Sequence, residues 1–487
     1  MRNREFDIPL PFGVDVSSGN VLPGITGDAL AWLQNKVETE SAIPGSTVQS
    51  LKRRADVVGL AYAVTGEYDL NDLSQVGWGL VFPENCDPAW KDALHPLIER
   101  REAQVGGGPF KIFEAASGVH RGMTARDWLS TNGVSLNIVD PALGVPYYLA
   151  LIGSPEEISF EFQYELDIYW GVGRIHFRTT DELERYAKSV VDYELAPTVP
   201  TSRRIALYAP QHDFDRATQM FVRMVANPLC TSVPPWGRIG ERQKFDLVAC
   251  LAERATKEKL SELLRGAPAV LFSGSHGMSF PFGDNRQSDM QGAIVCQDWA
   301  SFGSISESDW FSAYDVPADS NVHGMIHVLF ACFGGGCPQA DNFNRLDNQP
   351  RQIAEKPMLS LLPQSLLAHP KGGALAVVAH VDRAWAYSFV SDRGGAQLQG
   401  FRDVLGRILR GERIGQATDQ FNIRWAALSA ELCEVLQDKK NGKTVTTEEI
   451  SSRWVGRDDA RNYVILGDPA VRLRVEDMPQ LLTTRTT

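Results

Sequence analysis

A cysteine and a histidine in this sequence each follow an apolar stretch, and each stands close to glycine. Cys332 ends the run in "HVLFACFGGG", and His276 follows the run in "AVLFSGSHG". A cysteine becomes a strong nucleophile when an imidazole lies within hydrogen-bond reach of its thiol. Gly277 lets a substrate approach closely and frees a backbone N–H for an oxyanion. The two stretches together predict a nucleophilic Cys332 that is activated by His276.

Other cysteines and histidines compete for these two roles. Cys337 lies in the glycine loop after Cys332, where nothing fixes its direction, whereas the end of a strand holds Cys332 in place. His380 also follows an apolar stretch, and His212 is a weaker candidate of the same kind. Neither of them is followed by glycine, so His276 is the favoured histidine.

Metal and cofactor motifs give no convincing match. His323 and His327 have a spacing that suits a helix, but their segment has the pattern of a strand. The pair of cysteines at 332 and 337 has no second zinc half-site, and the glycines between them lack the Lys-Ser/Thr end of a phosphate loop. "SGSHG" is not a serine-hydrolase elbow, because a histidine occupies the wrong position. We therefore predict neither a metal nor a cofactor.

Strands that alternate with helices must position these two residues. From about residue 76 onward, apolar runs alternate with amphipathic stretches, which predicts a mostly parallel sheet covered by helices. The loops that leave the carboxyl ends of such strands gather at one edge of the sheet. Cys332 and His276 both follow strand ends, so we expect them at that edge. The stretch 245–266 is predicted as one long helix closed by glycine. The predicted strands are 76–84, 110–115, 145–154, 171–177, 204–210, 267–277, 292–299, 324–336, 374–382 and 463–475.

Changes in this pattern divide the chain into four predicted parts. Residues 1–75 are an N-terminal covering segment of unclear role, in which "ADVVGLAYAVTG" has the pattern of a strand. Residues 76–196 form a first, non-catalytic α/β subdomain. The stretch "LAPTVPTSRR" is rich in Pro, Ser and Thr and marks the boundary. Residues 197–475 form the catalytic subdomain, and residues 476–487 are a C-terminal tail.

Composition excludes several classes of partner. The 487 residues are 43% hydrophobic and 22% charged, as in a globular protein of more than one unit. A net charge of −12 without a basic cluster argues against nucleic acid. No apolar run is long enough to span a membrane, and the first residues lack the apolar core of a secretory signal. Seven scattered cysteines do not suggest a disulfide framework, so we expect a reducing cytoplasm.

The two catalytic stretches resemble the motifs of the caspase-like clan of cysteine peptidases, in which strand–His–Gly precedes strand–Ala–Cys. Within that clan the chain is most similar to the gingipain-type peptidases, and bacterial CHAT-domain proteases are also similar. "PYYLALIG", "VGRIHFRTTDELERYAKSVVDYE" and "ARNYVILGDPAVRL" resemble further gingipain segments, and "GAIVCQDW" resembles a CHAT strand. The resemblance covers roughly residues 76–475. It implies a caspase-like α/β/α sandwich with a mostly parallel sheet and two tandem subdomains.

The resemblance also implies a role for individual residues. Cys332 matches the nucleophile, His276 matches the general acid and base, and the N–H groups of Gly277 and Cys332 match the oxyanion donors. Arginine-specific members have an acidic residue at a strand end of the catalytic subdomain. The acidic and aromatic candidates for the substrate pocket are Asp213, Asp215, Asp298, Asp382 and Trp385.

The expected function is therefore an intracellular cysteine endopeptidase that cuts protein substrates, with a basic residue as the expected cut site if an aspartate lines the pocket. The resemblance adds an expected role in regulated proteolysis or bacterial defence and an expected regulatory partner or activator. Two other functions stay open. One is a catalytically silent scaffold or sensor with the same fold, and the other is a thiol-dependent hydrolase of small amides.

Overall fold

The computed structural model describes residues 10–39, 49, 52, 68–137, 139–232, 237–346, 349–390 and 395–479. Its strands are β1 (Gly13–Asp15), β2 (Asn20–Val21), β3 (Trp78–Val81), β4 (Phe110–Phe113), β5 (Tyr148–Ile152), β6 (Gly171–Ile175), β7 (Ser202–Ala209), β8 (Asp246–Leu251), β9 (Pro268–Gly274), β10 (Gly277–Ser279), β11 (Ile294–Val295), β12 (Trp310–Phe311), β13 (Ile326–Phe330), β14 (Gly336–Cys337), β15 (Ala340–Leu346), β16 (Gln349–Gln352), β17 (Met358–Leu359), β18 (Ala376–His380) and β19 (Tyr463–Gly467).

Helices connect most of these strands. They are α1 (Gly27–Thr39), α2 (Leu73–Val76), α3 (Pro88–Ala93), α4 (His95–Val105), α5 (Ala125–Thr131), α6 (Phe160–Leu166), α7 (Thr180–Leu195), α8 (Arg216–Phe221), α9 (Asn227–Cys230), α10 (Lys257–Arg265), α11 (Gln287–Met290), α12 (Leu361–Leu367), α13 (Gln399–Leu409), α14 (Ile414–Ala417), α15 (Asp419–Lys440) and α16 (Thr447–Arg461). A π-helical turn, Val222–Ala226, links α8 to α9.

One ten-stranded sheet forms the centre of the molecule. Its strand order is β4-β3-β5-β6-β19-β18-β13-β9-β7-β8. Neighbouring strands are parallel except for β18 and β19, which are antiparallel. The buried strands read as continuous apolar runs because helices cover both faces of such a sheet. The predicted α/β fold with a mostly parallel sheet is confirmed.

The sheet is continuous across the predicted boundary near residue 196. The first strand series, β3 to β6, joins the second through β19, which pairs with β6 on one side and β18 on the other. The boundary itself falls between α7 and β7. The division into two tandem subdomains stays a prediction.

A small second sheet lies next to the carboxyl ends of β9 and β13. Its strand order is β12-β11-β10-β1-β2. Strand β1 comes from the N-terminal segment and pairs in parallel with β10, with Gly13 opposite Gly277. Part of the predicted covering segment therefore lies beside the expected catalytic residues. The following helix, α1, packs through Ala29 and Leu33 against α15 and α16.

The predicted helix over 245–266 is wrong in its first half. Residues 246–251 form β8 at the edge of the main sheet, and the helix α10 begins only at Lys257. Thr256 caps that helix through its hydroxyl, which accepts from the N–H of Lys259 at 3.3 Å. The predicted strand "ADVVGLAYAVTG" and residues 480–487 of the predicted tail lie outside the described residues.

Candidate active site

The ends of β9 and β13 place the backbone segments that carry His276 and Cys332 next to each other. These strands are parallel neighbours, and Gly274 stands opposite Phe330 in their register. His276 and Cys332 each follow two residues after this pair. A Cβ atom on Gly277 would lie 1.9 Å from the carbonyl oxygen of Cys332, so the two loops are in direct backbone contact and only glycine fits there. The expected position at one sheet edge is what the structure shows.

A carboxylate orients the imidazole of His276. The Nε2 atom of His276 lies 2.9 Å from Oδ2 of Asp215. Asp215 is also the N-cap of α8, where it accepts the N–H of Thr218 at 2.9 Å. With the Nε2 proton donated to Asp215, the ring keeps Nδ1 as its acceptor. Nδ1 is buried, and no described group forms a hydrogen bond with it.

The pKa of Asp215 reflects two opposing effects. Burial alone would raise this pKa, but the charge of His276, its hydrogen bond and the Thr218 contacts together hold the pKa well below its usual range. Asp215 is therefore a fixed negative charge beside the imidazole. A fixed negative charge stabilises the imidazolium form, which is the form that donates a proton to a leaving group.

Cys332 is completely covered. Its exposed fraction is 0%, and the N–H of Ala384 points at its Sγ atom at 3.3 Å. A Cβ atom on Gly13 would lie 3.0 Å from the same sulfur, so the N-terminal segment passes directly beside the thiol. Burial raises the pKa of Cys332 well above the usual value, which keeps the thiol protonated while the site is covered.

The two expected oxyanion donors share one acceptor. The N–H of Gly277 and the N–H of Cys332 both donate to the carbonyl oxygen of Phe12, each at 2.9 Å. Two N–H groups that converge on one carbonyl oxygen at this distance have the geometry of an oxyanion hole. The oxygen that occupies it belongs to the protein's own chain.

The N-terminal segment forms strand-like hydrogen bonds on both sides of this carbonyl. Before it, the N–H of Phe12 donates to the carbonyl of Ala384 at 2.8 Å, and the carbonyl of Leu10 accepts from Ala386 at 3.0 Å. After it, β1 continues in parallel with β10, and the N–H of Val16 donates to Ser279 at 2.9 Å. The segment is thus held as an extended strand across the edge that carries Cys332.

An aromatic cage surrounds the side chain of Phe12, which has an exposed fraction of 0%. The imidazole of His276 forms one wall, with ring centroids 5.6 Å apart. Three phenylalanine rings form the others, with centroids between 4.8 and 6.1 Å from that of Phe12: Phe221, Phe330 and Phe389.

The four predicted acidic pocket residues do not converge. Asp215 contacts His276, and Asp213 is exposed on the loop before α8. Asp298 is exposed and accepts the N–H of Lys257 at the start of α10, at 2.8 Å. Asp382 is buried, and its Oδ1 accepts the N–H of Arg383 at 2.8 Å. The cage around Phe12 consists of aromatic rings and contains none of these four aspartates.

Trp385 belongs to the segment 384–386, whose backbone faces the N-terminal segment along the cleft. It forms an antiparallel bridge with Pro11, and its indole packs on Phe343 with ring centroids 5.0 Å apart. The backbone N–H of Trp385 donates to Oδ1 of Asp459 at 2.8 Å, which anchors this part of the cleft to α16. Trp385 therefore lies opposite Pro11, the residue before Phe12, and its indole is not one of the rings that pack on Phe12.

The competing candidates have other partners. Cys337 is buried in β14, where Gln291 donates to its sulfur at 3.6 Å. His380 contacts Asp459 through Nε2 at 3.2 Å, and the Nε2 atom of His212 lies 3.1 Å from the carbonyl of Cys296. Within the described ranges, no group of three or more His, Cys, Asp or Glu side chains is arranged to hold a metal ion. None of the described helices has the length and apolar character that a membrane crossing requires.

Sequence reasoning missed two parts of this site. Asp215 was considered only as a pocket residue, although its place after the strand "RIALYAP" puts it at the same edge as His276. The segment "LPFG" is a short apolar stretch, and by itself it carries no periodic or catalytic signal. The only sequence feature that could have pointed to a role in the site is Gly13, which directly follows the large aromatic Phe12.

Comparisons with known proteins give structural matches only. No protein-family model matches the chain, and no curated protein does. The crystal structure of gingipain R (RgpB), an Arg-specific cysteine proteinase, is 12% identical over 84% of this chain and 81% of that chain, with a TM-score of 0.45. A complex of the pro- and mature domains of RgpB from Porphyromonas gingivalis is 11% identical over 82% of this chain and 80% of that chain, with a TM-score of 0.48. A further structure, of a protease, is 13% identical over 83% of this chain and 79% of that chain, with a TM-score of 0.48. Gingipains are the group that the sequence motifs resemble.

Proposed function

We propose that the protein is a cysteine endopeptidase that cuts peptide bonds in protein substrates, with Cys332 as nucleophile and His276 as general acid and base. The observation that carries this proposal is the convergence of the Gly277 and Cys332 N–H groups on one peptide carbonyl oxygen, at 2.9 Å each. A peptide carbonyl in that position lies beside the Cys332 thiol and within the reach of two oxyanion donors.

The chemistry follows from this arrangement. His276 takes the proton of the Cys332 thiol, and the thiolate attacks the carbonyl carbon of the substrate. The resulting oxyanion is stabilised by the N–H groups of Gly277 and Cys332. His276 gives its proton to the leaving amine as the C–N bond breaks, and a thioester is left on Cys332. Water then attacks the thioester, His276 takes a proton from it, and the carboxylic acid product leaves with the thiol restored.

Extended peptides fit the cleft because backbone groups face it on both sides of the thiol. Ala384 and Ala386 offer hydrogen bonds on one side, and β10 offers them on the other. Cleavage after a basic residue would require a carboxylate facing that residue. The side chains against Phe12 are aromatic, and Asp215 is already paired with His276, so our proposal leaves out the basic preference.

One observation favours the second candidate, a catalytically silent scaffold. His276 and Cys332 both have an exposed fraction of 0%, so no substrate reaches them in the chain as folded here. A covered site is equally what regulated proteolysis requires. The two candidates differ in whether the site works once it is uncovered.

The test is cleavage of a mixed peptide library by the wild-type protein and by a Phe12→Asp variant, in which a charge is placed inside the aromatic cage. We expect the Phe12→Asp protein to cleave faster than the wild type, and we expect Cys332→Ala to abolish this cleavage in the Phe12→Asp background. Cys337→Ala removes the neighbouring thiol and is the matched control, for which we expect cleavage to persist. Cleavage that survives Cys332→Ala would refute the proposal, and no cleavage in any uncovered variant would favour the silent scaffold.

A further inference from the structure

We infer that residues 10–15, here called the N-terminal strap, occupy the peptide cleft in the position of a substrate, and that the cleft accepts an aromatic residue immediately before the bond it cuts. This inference rests on the proposed function and adds two things to it. It identifies the occupant of the resting site, and it gives the class of side chain that the site recognises.

The register of the strap is set by its carbonyl groups. In an acyl-transfer site, the oxygen in the oxyanion hole belongs to the residue before the cleaved bond. That oxygen here is the carbonyl of Phe12, and the next residue, Gly13, passes beside the sulfur of Cys332. The peptide between Phe12 and Gly13 therefore lies where the bond to be cut would lie.

The backbone contacts of the strap are those of a bound peptide. Recognition by strand addition uses main-chain hydrogen bonds for affinity and side-chain pockets for specificity. Leu10 and Phe12 bond with the segment 384–386, and the residues from Gly13 onward pair with β10. Any peptide in an extended conformation forms these bonds, so they do not themselves select a sequence.

The pocket around Phe12 does select. Its walls are three phenylalanine rings and the imidazole of His276, and the Phe12 side chain inside it is fully buried. Aromatic pairs at these distances and angles gain energy beyond simple area burial. A guanidinium or ammonium group in the same place would lose its water without meeting a free carboxylate, which is costly. The cage is thus suited to phenylalanine and similar rings.

The strap also explains why the site is closed. Cys332 and His276 are buried in part because Phe12 and Gly13 lie on them. The raised pKa of the covered thiol acts in the same direction, since a protonated thiol is a poor nucleophile. A peptide substrate can bind only when the strap leaves.

The first experiment measures access to Cys332. Phe12→Asp places a carboxylate in the aromatic cage and should expel the strap. The identical substitution at Phe282, which is 53% exposed, is the control. Reaction of each folded protein with iodoacetamide, followed by peptide mapping, gives the labelling rate of Cys332. We expect at least a ten-fold faster rate in Phe12→Asp than in the wild type, and no change in Phe282→Asp. Equal labelling rates in the wild type and in Phe12→Asp would overturn the inference that the strap covers Cys332.

The second experiment measures what the cage accepts. Chloromethyl ketones of acetyl-Leu-Pro-Phe and acetyl-Leu-Pro-Arg differ only in the residue that would replace Phe12. On the Phe12→Asp protein we expect the Phe compound to label Cys332 at least ten-fold faster than the Arg compound. Equal rates, or a faster Arg compound, would overturn the aromatic preference and leave the peptidase proposal intact.

A third measurement separates the remaining outcomes. If iodoacetamide labels Cys332 in Phe12→Asp but neither ketone does, the proposed peptidase fails while the strap still stands as a cover. If Phe12→Asp does not fold, Phe12→Ala opens the cage without adding a charge. The free peptide Leu-Pro-Phe-Gly-Val-Asp should then slow labelling of Cys332 in the variant, and the same peptide with Arg for Phe should not. No protection by the first peptide would count against the inference.

Discussion

Asp215 has two functions that can be separated by mutation. It contacts His276, and it also caps α8 through the N–H groups of Ala217 and Thr218. Asparagine is as good a helix cap as aspartate, whereas alanine is not. Asp215→Asn therefore removes the charge beside His276 and keeps the cap. Asp215→Ala removes both.

We expect Asp215→Asn to lower kcat roughly 10²-fold or more, with KM almost unchanged, because the imidazolium loses its stabilising charge and its fixed orientation. Steady-state cleavage of a Phe-containing peptide, measured in the Phe12→Asp background, checks this. The melting temperature should fall less in Asp215→Asn, which keeps the helix cap, than in Asp215→Ala, which loses both the cap and the charge. A purely structural role for Asp215 would instead leave kcat of the folded Asn variant intact.

Asp382 makes the stability of the protein depend on pH. Burial and the nearby charge of Asp341 raise its pKa to about 8. At a pH between about 4, the usual pKa of an aspartate, and the raised pKa, Asp382 is protonated in the folded protein and ionised in the unfolded chain. Stability therefore falls as the pH rises through that window.

The variant Asp382→Asn tests this dependence. Its amide oxygen can still accept the N–H of Arg383, and it cannot ionise. We expect its melting temperature to exceed that of the wild type at pH 8 and 9, with the difference shrinking toward pH 5. Thermal melts across pH 5–9 measure it. A difference that stays constant over this range would show that Asp382 does not titrate in the folded state.

At the residue scale, the sequence places Cys332 and His276 at the ends of two strands, which are neighbours in the structure, but it does not reveal what surrounds them. Cys332 and His276 could be found because each ends an apolar run and is followed by glycine or by a glycine-rich loop. The sequence offered Asp213 and Asp215 only as pocket residues, because nothing in one loop shows which carboxylate points toward His276. The contact of Phe12 with the site joins positions more than 200 residues apart, and no local pattern encodes such a contact.

At the scale of elements, the loop after β9 must pass very close to the loop after β13. The Gly277 backbone lies against the carbonyl of Cys332, and a methyl group there would overlap with that oxygen. We expect Gly277→Ala to lower the free energy of unfolding by about 1–3 kcal/mol or more, since the neighbouring atom is backbone and cannot rotate away. In the Phe12→Asp background it should also lower cleavage, because the N–H of Gly277 would move.

A matched control for this substitution exists in the loop between α4 and β4. Gly107 has open space around its Cα and no unusual backbone angle. Gly107→Ala should leave urea unfolding and cleavage almost unchanged. Equal stability of the two alanine variants would mean that the β9 and β13 loops are not packed as closely as described.

The alternation of elements was predictable because buried parallel strands are continuous apolar runs. The exception is β8, which lies at the sheet edge and has mostly half-buried residues. Its segment, "DLVACL", runs directly into a helical pattern with no glycine or proline between them. An edge strand followed by a helix of similar polarity looks like one helix when only the sequence is considered.

At the scale of the whole molecule, a buried ion pair joins distant parts of the chain. Arg101 in α4 donates to Asp468, after β19, at 2.7 Å, and Trp78 in β3 donates to the other oxygen of Asp468 at 2.9 Å. Glu194 at the end of α7 also pairs with Arg101. Both Arg101 and Asp468 have an exposed side-chain fraction of 0%.

Removing one partner of this pair should be costly. We expect Asp468→Ala to lower the free energy of unfolding by about 3–5 kcal/mol, because it leaves a buried guanidinium with reduced compensation. Urea unfolding measures the loss. Glu262→Ala removes one side of the exposed Lys259–Glu262 pair and is the control, for which little change is expected. Similar midpoints for the two variants would contradict a structural role of the buried pair.

The position of β19 has a consequence for biosynthesis. This strand is the last of the sheet to be made, yet it sits in the middle, between β6 and β18. The strands on both sides of β19 are therefore synthesised before the strand that links them. Translation that stops short of residue 463 would leave the edges of β6 and β18 open, and open strand edges recruit other chains into aggregates.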